Sequence, residues 1–463
     1  MKRSVNGWLA IGALCVCAVG CGSNDTNNTQ HDAGQDAGFD AGTETWTDTV
    51  IDSNTDGGLE MSAAVDPSGK AGVAFFRKDN FTADGGPSEL FAIVYAHETS
   101  PGVWAEETIA NAAGDGGTYL TGHYGLALAY DPSGNPAITY MGGGITEAKP
   151  GMDGRWHNFA TGLSMPSDSV MIRKSGSAWT KTTLGTMSNS FVTTGNSVDD
   201  QGVVLGLWSA LAYTNDGIAH VVQRDIHYGN DDTASSNSDL EAADVSSGGA
   251  LSNGAIVASN QTPSNPLIPG AGTYTQMVAT GSDLAVSFAL SPKSTSAPEA
   301  VWFARRTGTT WTRKELSTAQ GQAGSGPALA YSPTRGFAIA YFDAQLGDSR
   351  LLTSADGTTW DDEPNEVLGV TGLHPGAAFS GETLGVLWSF CRSPIDPDTS
   401  CNADTQELRF RTVAIDGTPG PVETVKKTLP NLATLLPTSS GGASFIAIYQ
   451  DPARGTIASR RTP

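Results

Sequence analysis

The sequence predicts an all-β protein built as a β-propeller of seven four-stranded blades, and three observations carry that expectation. Composition is the first. Glycine and proline supply 56 and 24 of 463 residues, and only 16% are charged, below the ~25% usual for soluble domains. Hydrophobic residues make up 39%, enough for a substantial core, so wholesale disorder is excluded. The second is a repeat: an apolar small-residue strand, a tight turn and a second apolar strand recur seven times. Length alone would suggest about three domains of ~150 residues, and the repeat reduces these to one. The third is that the two ends of the repeated region complement each other.

Residues 126–140 show one unit: an alternating Leu/Ala strand, the turn Asp131-Pro132-Ser133-Gly134, and a Pro-Ala-Ile-Thr-Tyr strand. Asp starts the turn, Pro presets its φ, and Gly takes the position that needs φ > 0. Related units are Met61–Arg77, Ser209–Gln223, Met277–Phe288, Ala328–Phe342, Gly376–Phe390 and Leu435–Tyr449. A second hairpin follows each, often with a Trp near its last strand: Trp104, Trp179, Trp311 and Trp360. Residues 407–428 carry Val422 instead, and residues 239–258 contain no Trp, which makes the third unit the weakest. Two hairpins per unit give a four-stranded sheet, and such sheets repeated radially give a propeller. Residues 44–463 allow about 60 residues per unit, above the ~50 of kelch-type blades. At the far end, Thr456–Arg461 reads as a third strand with no fourth. At the near end, Trp46-Thr47-Asp48-Thr49-Val50 reads as an orphan fourth strand. Pairing these two closes the ring and removes its exposed edges. A β-sandwich, or a ring of six or eight blades, competes with this reading.

The N-terminus carries a different signal. Lys2 and Arg3 precede a short apolar stretch, Trp8–Val19, which ends at Ala18-Val19-Gly20-Cys21. The stretch is too short to span a bilayer. It resembles the lipobox of bacterial lipoproteins, which implies a signal peptide over 1–20 and lipid attachment at Cys21. Gly22 and Ser23 follow, and by resemblance to enterobacterial sorting the expected location is the outer membrane of the cell envelope, periplasmic or surface-exposed. Residues 21–43 read as a disordered tether, because Asp-Ala-Gly recurs at four-residue spacing and leaves almost nothing to bury. Its Asp residues read as a solvated spacer rather than a calcium loop, since no bidentate Glu follows. Residues 44–463 then form the propeller domain. Cys391 and Cys401 are the two cysteines beyond the signal region. A disulfide closing that short loop is expected in an oxidising compartment, with two free thiols as the alternative.

Charge narrows the partners. The formal net charge is −22, and no basic cluster exceeds Lys426-Lys427 or Arg460-Arg461. Nucleic acid is therefore not an expected partner. Phosphate-loop, dinucleotide, nucleophile-elbow and zinc-protease motifs are absent, and no cofactor or metal is expected.

Ser354-Ala355-Asp356-Gly357-Thr358-Thr359-Trp360 resembles the Asp-box of sialidase-like (BNR) propellers. Shorter echoes stand at 175–179 and 307–311. The resemblance implies a propeller in which Ser354, Asp356, Gly357 and Trp360 are structural, on an outer hairpin away from any catalytic centre. A sialidase of that family would need three convergent Arg, a Tyr nucleophile with a Glu partner, and an Asp acid/base. The Arg-Ile-Pro signature expected early in the family is replaced here by Phe75-Phe76-Arg77-Lys78-Asp79.

By analogy with other propellers, a ligand would gather over the central channel, on the face reached by connections between second and third strands. Those connections are long in unit two (141–168), unit three (224–238) and unit six (391–405). Loops above ~12–15 residues are frequently functional. The candidate ligand face comprises Arg77, His123, Arg155, Trp156, His157, Trp208, Arg224, Asp225, His227, Asp343, His374 and Arg392, with Tyr119, Tyr124 and Tyr274 between blades. Aromatic faces stack on sugar rings and Arg forks onto carboxylates. A metal held by Asp225, His227, Asp231 and Asp232 competes with turn capping by the same residues. His220, inside a strand, reads as a satisfied core histidine. The leading expectation is a monomeric, surface-tethered lipoprotein, held to the membrane by its lipid alone, that binds a glycan or protein partner without catalysis. The alternatives are a sialidase-like glycoside hydrolase or polysaccharide lyase, and a scaffold in an envelope protein assembly.

Overall fold

The computed structural model describes residues 46–55, 57–79, 90–109, 125–143, 157–158, 163–164, 167–186, 190–192, 202–227, 237–259, 271–290, 300–316, 323–343, 348–366, 375–391, 406–430, 432–438 and 444–461. The signal and tether segments, including Cys21, lie outside them. All of the described residues belong to one compact unit, Glu44–Pro463.

Strand β1 is Trp46–Asp52. Blade 1 is β2 (Gly57–Val65), β3 (Ala71–Asp79), β4 (Leu90–Ser100) and β5 (Val103–Ile109). Blade 2 is β6 (Ala127–Tyr130), β7 (Pro136–Gly143), β10 (Ser167–Ser175) and β11 (Ala178–Gly185), with a short parallel pair, β8 (His157–Asn158) and β9 (Leu163–Ser164), between β7 and β10. Blade 3 is β12 (Gly202–Tyr213), β13 (Ala219–His227), β14 (Asn237–Val245) and β15 (Leu251–Ser259). Blade 4 is β16 (Ala271–Thr280), β17 (Asp283–Leu290), β18 (Ala300–Thr307) and β19 (Thr310–Glu315). Blade 5 is β20 (Ala323–Ser332), β21 (Gly336–Asp343), β22 (Asp348–Ser354) and β23 (Asp361–Glu366). Blade 6 is β24 (Gly376–Ser380), β25 (Thr383–Cys391), β26 (Gln406–Val413) and β27 (Glu423–Lys426). Blade 7 is β28 (Ala433–Pro437), β29 (Phe445–Asp451) and β30 (Gly455–Arg461), completed by β1. The chain is a seven-bladed β-propeller. Each blade is antiparallel throughout, and among the described residues there is no helix.

The expected turns form as the residue types require. In the 131–134 turn, the Asp131 carboxylate accepts from the N–H of Ser133 and Asn135, both at 2.8 Å. Gly134 adopts φ +85°, open to glycine at little cost. The Asp66 turn in blade 1 repeats this pattern.

Both faces of a blade are buried, each against a neighbour, so the core is divided among seven seams. Ile93 and Tyr95 of blade 1 meet Ile138 and Tyr140 of blade 2, with Trp179 leaning in. Val222 and Leu240 of blade 3 meet Val286 and Phe288 of blade 4, with Trp311. Val301 and Phe303 of blade 4 meet Phe337 and Ile339 of blade 5, with Trp360. Trp104 and Trp46 do the same where blade 1 meets blade 7 and blade 7 meets blade 6. Each of these Trp residues lies in or beside the outermost strand and fills the wide outer part of a wedge. Blade 3, expected to be the weakest, is a full four-stranded sheet. Its seam with blade 2 uses Phe191 and Leu251 in place of Trp, and Arg173 reaches across to the carbonyl of Ser246 at 2.5 Å.

The orphan strand closes the ring. β1 runs antiparallel to β30 from Trp46↔Arg461 to Asp52↔Thr456. Asp48 accepts from Lys426 (2.9 Å), Arg454 (2.6 Å) and the Tyr449 hydroxyl (3.2 Å). Burial opposes ionisation of Asp48, but the two cations outweigh it and hold the carboxyl below its ordinary range. Glu423 of blade 6 takes Trp46 Nε1 at 3.0 Å and the Arg461 guanidinium at 2.9 Å.

Near the axis the blades come close. A Cβ added to Gly125 would lie 2.4 Å from the carbonyl oxygen of Gly206, a backbone atom that cannot swing aside. Gly125→Ala should therefore destabilise the propeller by about 1–3 kcal/mol, the usual cost of overpacking. Thermal or urea unfolding reads this, and a variant as stable as the parent would show that the inner strands yield.

Candidate functional site

Blade edges near the axis depart from regular pairing at one end. β2 shifts register between Gly57 and Met61, β20 between Gly324 and Ala328, β16 twice between Ala271 and Gln276, and β12 three times between Gly202 and Ala210. This is the end where β13 finishes, opposite Gly202, and where connections between second and third strands arise. It is the face on which a ligand was expected. Bulges re-aim side chains and recur beside functional sites.

A Gly-x-x pattern sits in three of these bulges. Gly206, Gly272 and Gly326 have φ of +82°, +90° and +88°. Two residues further on stand Trp208, Tyr274 and Ala328. Trp208 and Tyr274 also take left-handed conformations, at φ +41° and +54°. A bulky aromatic at positive φ costs of order 1–3 kcal/mol and persists only where its surroundings enforce it. The two half-buried rings, on the innermost strands of blades 3 and 4, lie 5.8 Å apart at 57°. The guanidinium of Arg224, opposite Leu207 in the β12–β13 ladder, stands 5.1 Å from the Trp208 ring centre. The result is an aromatic platform with a cation against it.

Behind the platform, on the side of blade 3 that faces blade 2, lies a buried polar layer. Gln223 pairs opposite Glu241 and Asp225 opposite Asp239. All four are nearly inaccessible, at 0%, 1%, 0% and 4%. Glu241 accepts from the Phe191 N–H at 3.2 Å. Among the described residues, neither amide atom of Gln223 nor the buried Ser169 hydroxyl of blade 2 finds a hydrogen-bond partner. The Thr139 and Ser209 hydroxyls bond each other across the same seam at 3.1 Å. Among the described residues no three His, Cys, Asp or Glu side chains converge as metal ligands.

The remaining candidates fall in different places. Arg77 does not line the channel. Its guanidinium crosses its own blade to Glu106 (2.7 Å) and Thr108 (2.7 Å) on β5 and approaches Asp52 of β1 at 3.4 Å. Burial disfavours its charge, but Glu106 and Asp52 outweigh that and raise its affinity for the proton. It is a rim clasp between blades 1 and 7. Asp343 is buried at the end of β21, two blades from Asp225. His157 and His227 are described by backbone alone. His123, Arg155, Trp156, His374, Arg392, Cys401 and the acids Asp231 and Asp232 lie outside the described residues, as do Tyr119 and Tyr124. Cys391 is buried at the end of β25.

The Asp-box residues form a capped turn. Asp356 accepts from the N–H of Thr358 (2.8 Å) and Thr359 (3.0 Å), and Ser354 Oγ accepts from the Gly357 N–H at 2.9 Å. Hydrogen bonds from the Thr358 hydroxyl and these amides hold the exposed Asp356 carboxyl below its ordinary range. Trp360 packs 4.9 Å from Phe303 of blade 4. Through Trp360 the turn braces the seam between blades 4 and 5.

Gln223, Asp239 and Glu241 did not stand out in the sequence. Their signal was present: Gln223 and Asp225 continue the face of Val221, so the inward positions of this strand turn from apolar to polar toward one end.

No family model matches the chain, and no curated protein matches it. A solved structure shares its fold. A polysaccharide lyase, an ulvan lyase bound to -[GlcA(1-4)Rha3S]-, superposes with a TM-score of 0.51 at 12% identity, over 90% of this chain and 94% of that one. A protein of unknown function from Dyadobacter fermentans gives 0.48 at 13% identity, over 76% and 95%. A Hadza microbial sialidase gives 0.44 at 12% identity, over 82% and 74%. At 12% identity the likeness to the lyase is one of fold.

The left-handed backbone at Trp208 makes a prediction. Trp208→Gly should be more stable than Trp208→Ala by about 1 kcal/mol, because only Ala retains the Cβ penalty at positive φ. Denaturant titration of the pair decides it; an Ala variant equal to or better than Gly would mean the strand relaxes out of the bulge.

Proposed function

We propose that this propeller binds a carbohydrate over the channel mouth between blades 3 and 4, with its ligand stacked on Trp208 and Tyr274 and oriented by Arg224. The observation that carries the reading is the pair of aromatic residues held at positive φ on adjacent innermost strands, 5.8 Å apart, with a guanidinium 5.1 Å from one ring. Aromatic faces suit the apolar faces of sugar rings, and Arg supplies a forked donor to a carboxylate or hydroxyl pair. Net charge of −22 argues against nucleic acid as the ligand.

Isothermal calorimetry of the purified protein against a panel of neutral and acidic polysaccharides tests this. Trp208→Ala and Tyr274→Ala should each weaken binding at least about tenfold, equivalent to about 1.4 kcal/mol. Undiminished affinity in both variants would overturn the platform as the site.

A second reading, a glycoside hydrolase or polysaccharide lyase, is favoured by the buried carboxyl pair Asp225 and Asp239 immediately behind the platform. Two carboxyl groups on facing residues of neighbouring strands are the side-chain type that acid–base chemistry on a sugar uses. New reducing ends or unsaturated products during incubation, abolished by Asp225→Asn, would establish it over simple binding.

The same proposal includes the address: cleavage before Cys21, lipidation of Cys21, outer-membrane location through the tether, a monomeric ring, and a Cys391–Cys401 disulfide. Cys21→Ser should eliminate incorporation of a labelled fatty acid and move the protein from the membrane to the soluble fraction. Label retained in that variant would refute the anchor.

A further inference from the structure

The level at which Trp208 stands can be followed into the neighbouring blades through the ladder register. The first hairpins of blades 1, 2 and 3 close with the same turn. Their last pairs are Val65↔Ala71, Tyr130↔Pro136 and Tyr213↔Ala219. The N–H groups of Gly69, Gly134 and Gly217 return to the carbonyls of Asp66, Asp131 and Thr214. Counting back five residues from Val65, Tyr130 and Tyr213 reaches Glu60, Gly125 and Trp208. Glu60 lies inside the β2 bulge between Gly57 and Met61, as Trp208 lies inside the β12 bulge between Leu207 and Ala210. Tyr274 joins this level through its ring contact with Trp208. The inner strands of four successive blades thus bring Glu60, Gly125, Trp208 and Tyr274 to one height around the axis.

Glu60 is fixed there by the next blade. Its Oε2 accepts from the Gly125 N–H at 2.7 Å and its Oε1 from the Leu126 N–H at 3.0 Å. Further along β2, Ser62 Oγ accepts from the Leu128 N–H at 3.0 Å and holds the same register. The Gly125 carbonyl accepts from Ser209 Oγ, beside Trp208, at 2.7 Å. One residue therefore links the carboxylate to the platform strand, and the arrangement is set before a ligand arrives. Gly125 also has no side chain to stand between Glu60 and Trp208. A carboxylate accepts about four hydrogen bonds, and the two backbone donors take half of that capacity.

The charges at the mouth are unequal in reach. Glu60 is half-buried on an innermost strand, whose free edge borders the channel. Arg224 is 8% exposed and sits opposite Leu240 within blade 3, so its guanidinium acts from inside the wall. In a ring of seven, blades 1 and 4 are three steps apart, the widest separation available. Glu60 and Tyr274 therefore stand on opposite sides of the mouth. We propose that Glu60 is the hydrogen-bond acceptor of this site, and that the site takes a neutral sugar chain whose hydroxyls donate to the carboxylate while a ring face lies on Trp208 and Tyr274. Hydrogen bonds from hydroxyls to an ionised carboxylate are among the stronger ones. An acidic chain instead meets both Glu60 and the field of a protein with net charge −22. The proposal rests on Trp208 and Tyr274 being the sugar platform and names the class of sugar.

Calorimetry on the whole chain tests this, with xylan, mannan and mixed-linkage glucan as neutral probes and polygalacturonate, alginate and hyaluronan as acidic ones. The parent should bind at least one neutral probe, and more tightly than any acidic one. Glu60→Gln keeps the size of the side chain and removes its charge. It should weaken neutral binding about tenfold or more, the usual loss with a hydrogen bond to a charged group, and narrow the preference for neutral over acidic probes. A tie between blades 1 and 2 with no role in binding would lower the thermal midpoint and leave that preference unchanged, which overturns the proposal. The parent supplies a second measurement that needs no variant. Added salt should raise its affinity for acidic probes by screening the repulsion, and acidic binding absent at every salt concentration agrees with the proposal. Acidic binding that falls with salt means that a cation leads recognition, and the proposal fails. Trp208→Ala separates the two readings. Neutral binding lost in Trp208→Ala and kept in Glu60→Gln leaves the platform and removes Glu60; the reverse leaves Glu60 and removes the platform. A parent that binds none of the probes removes both.

Discussion

No blade of this ring has a core of its own. Each sheet buries one face against the blade before it and the other against the blade after it, so apolar packing is satisfied only when the circle is complete. That requirement explains the low charge and the small-residue strands: inner positions such as Ala74, Ala137 and Ala338 have neighbours on both sides. It also explains why the outermost strands bring Trp. Flat sheets around an axis diverge outward, and large rings at the rim fill the widening gap, whereas glycines near the axis let backbones approach.

The same convergence produces the candidate site. At one end the inner strands cannot remain in register and still converge, and the strain appears as bulges and positive φ. In blades 3 and 4 that strain falls on aromatic side chains, which are thereby turned together. In blade 5 the corresponding position is Ala328, and there is no ring to present. The polar layer of Gln223, Asp225, Asp239 and Glu241 lies in a seam that is apolar at its other end. The site and the seam are therefore two aspects of one packing problem.

The architecture was open to reading because its signals are local and repeated. Asp-Pro-Ser-Gly fixes a turn wherever it occurs, small/apolar alternation fixes a strand, and an orphan strand at one end with a gap at the other implies closure. The site was harder to read because its determinants are relations between distant segments. Arg77 stands at a strand end like Arg224, yet its partners on β5 and β1 draw it to the rim, and nothing near it in the chain indicates that. Trp208 and Tyr274 were visible as residues between blades, but their shared left-handed backbone comes from bulge geometry. His220, by contrast, was recognisable as a core residue from its strand context. Its partners Asp244 and Arg306, 24 and 86 residues away, were not.

The closing strand has a mechanical consequence. A pull delivered through the residues preceding Trp46 loads the β1–β30 ladder at its terminal rung, Trp46↔Arg461. Pulled across the strands, an antiparallel ladder parts like a zipper, one rung after another, rather than resisting together as in shear. Resistance is then set by the first few rungs alone. Those rungs hold Trp46 and Arg461 on Glu423, and Asp48 on Lys426, Arg454 and Tyr449. The ring is thus reinforced where a force transmitted along the chain would begin to open it.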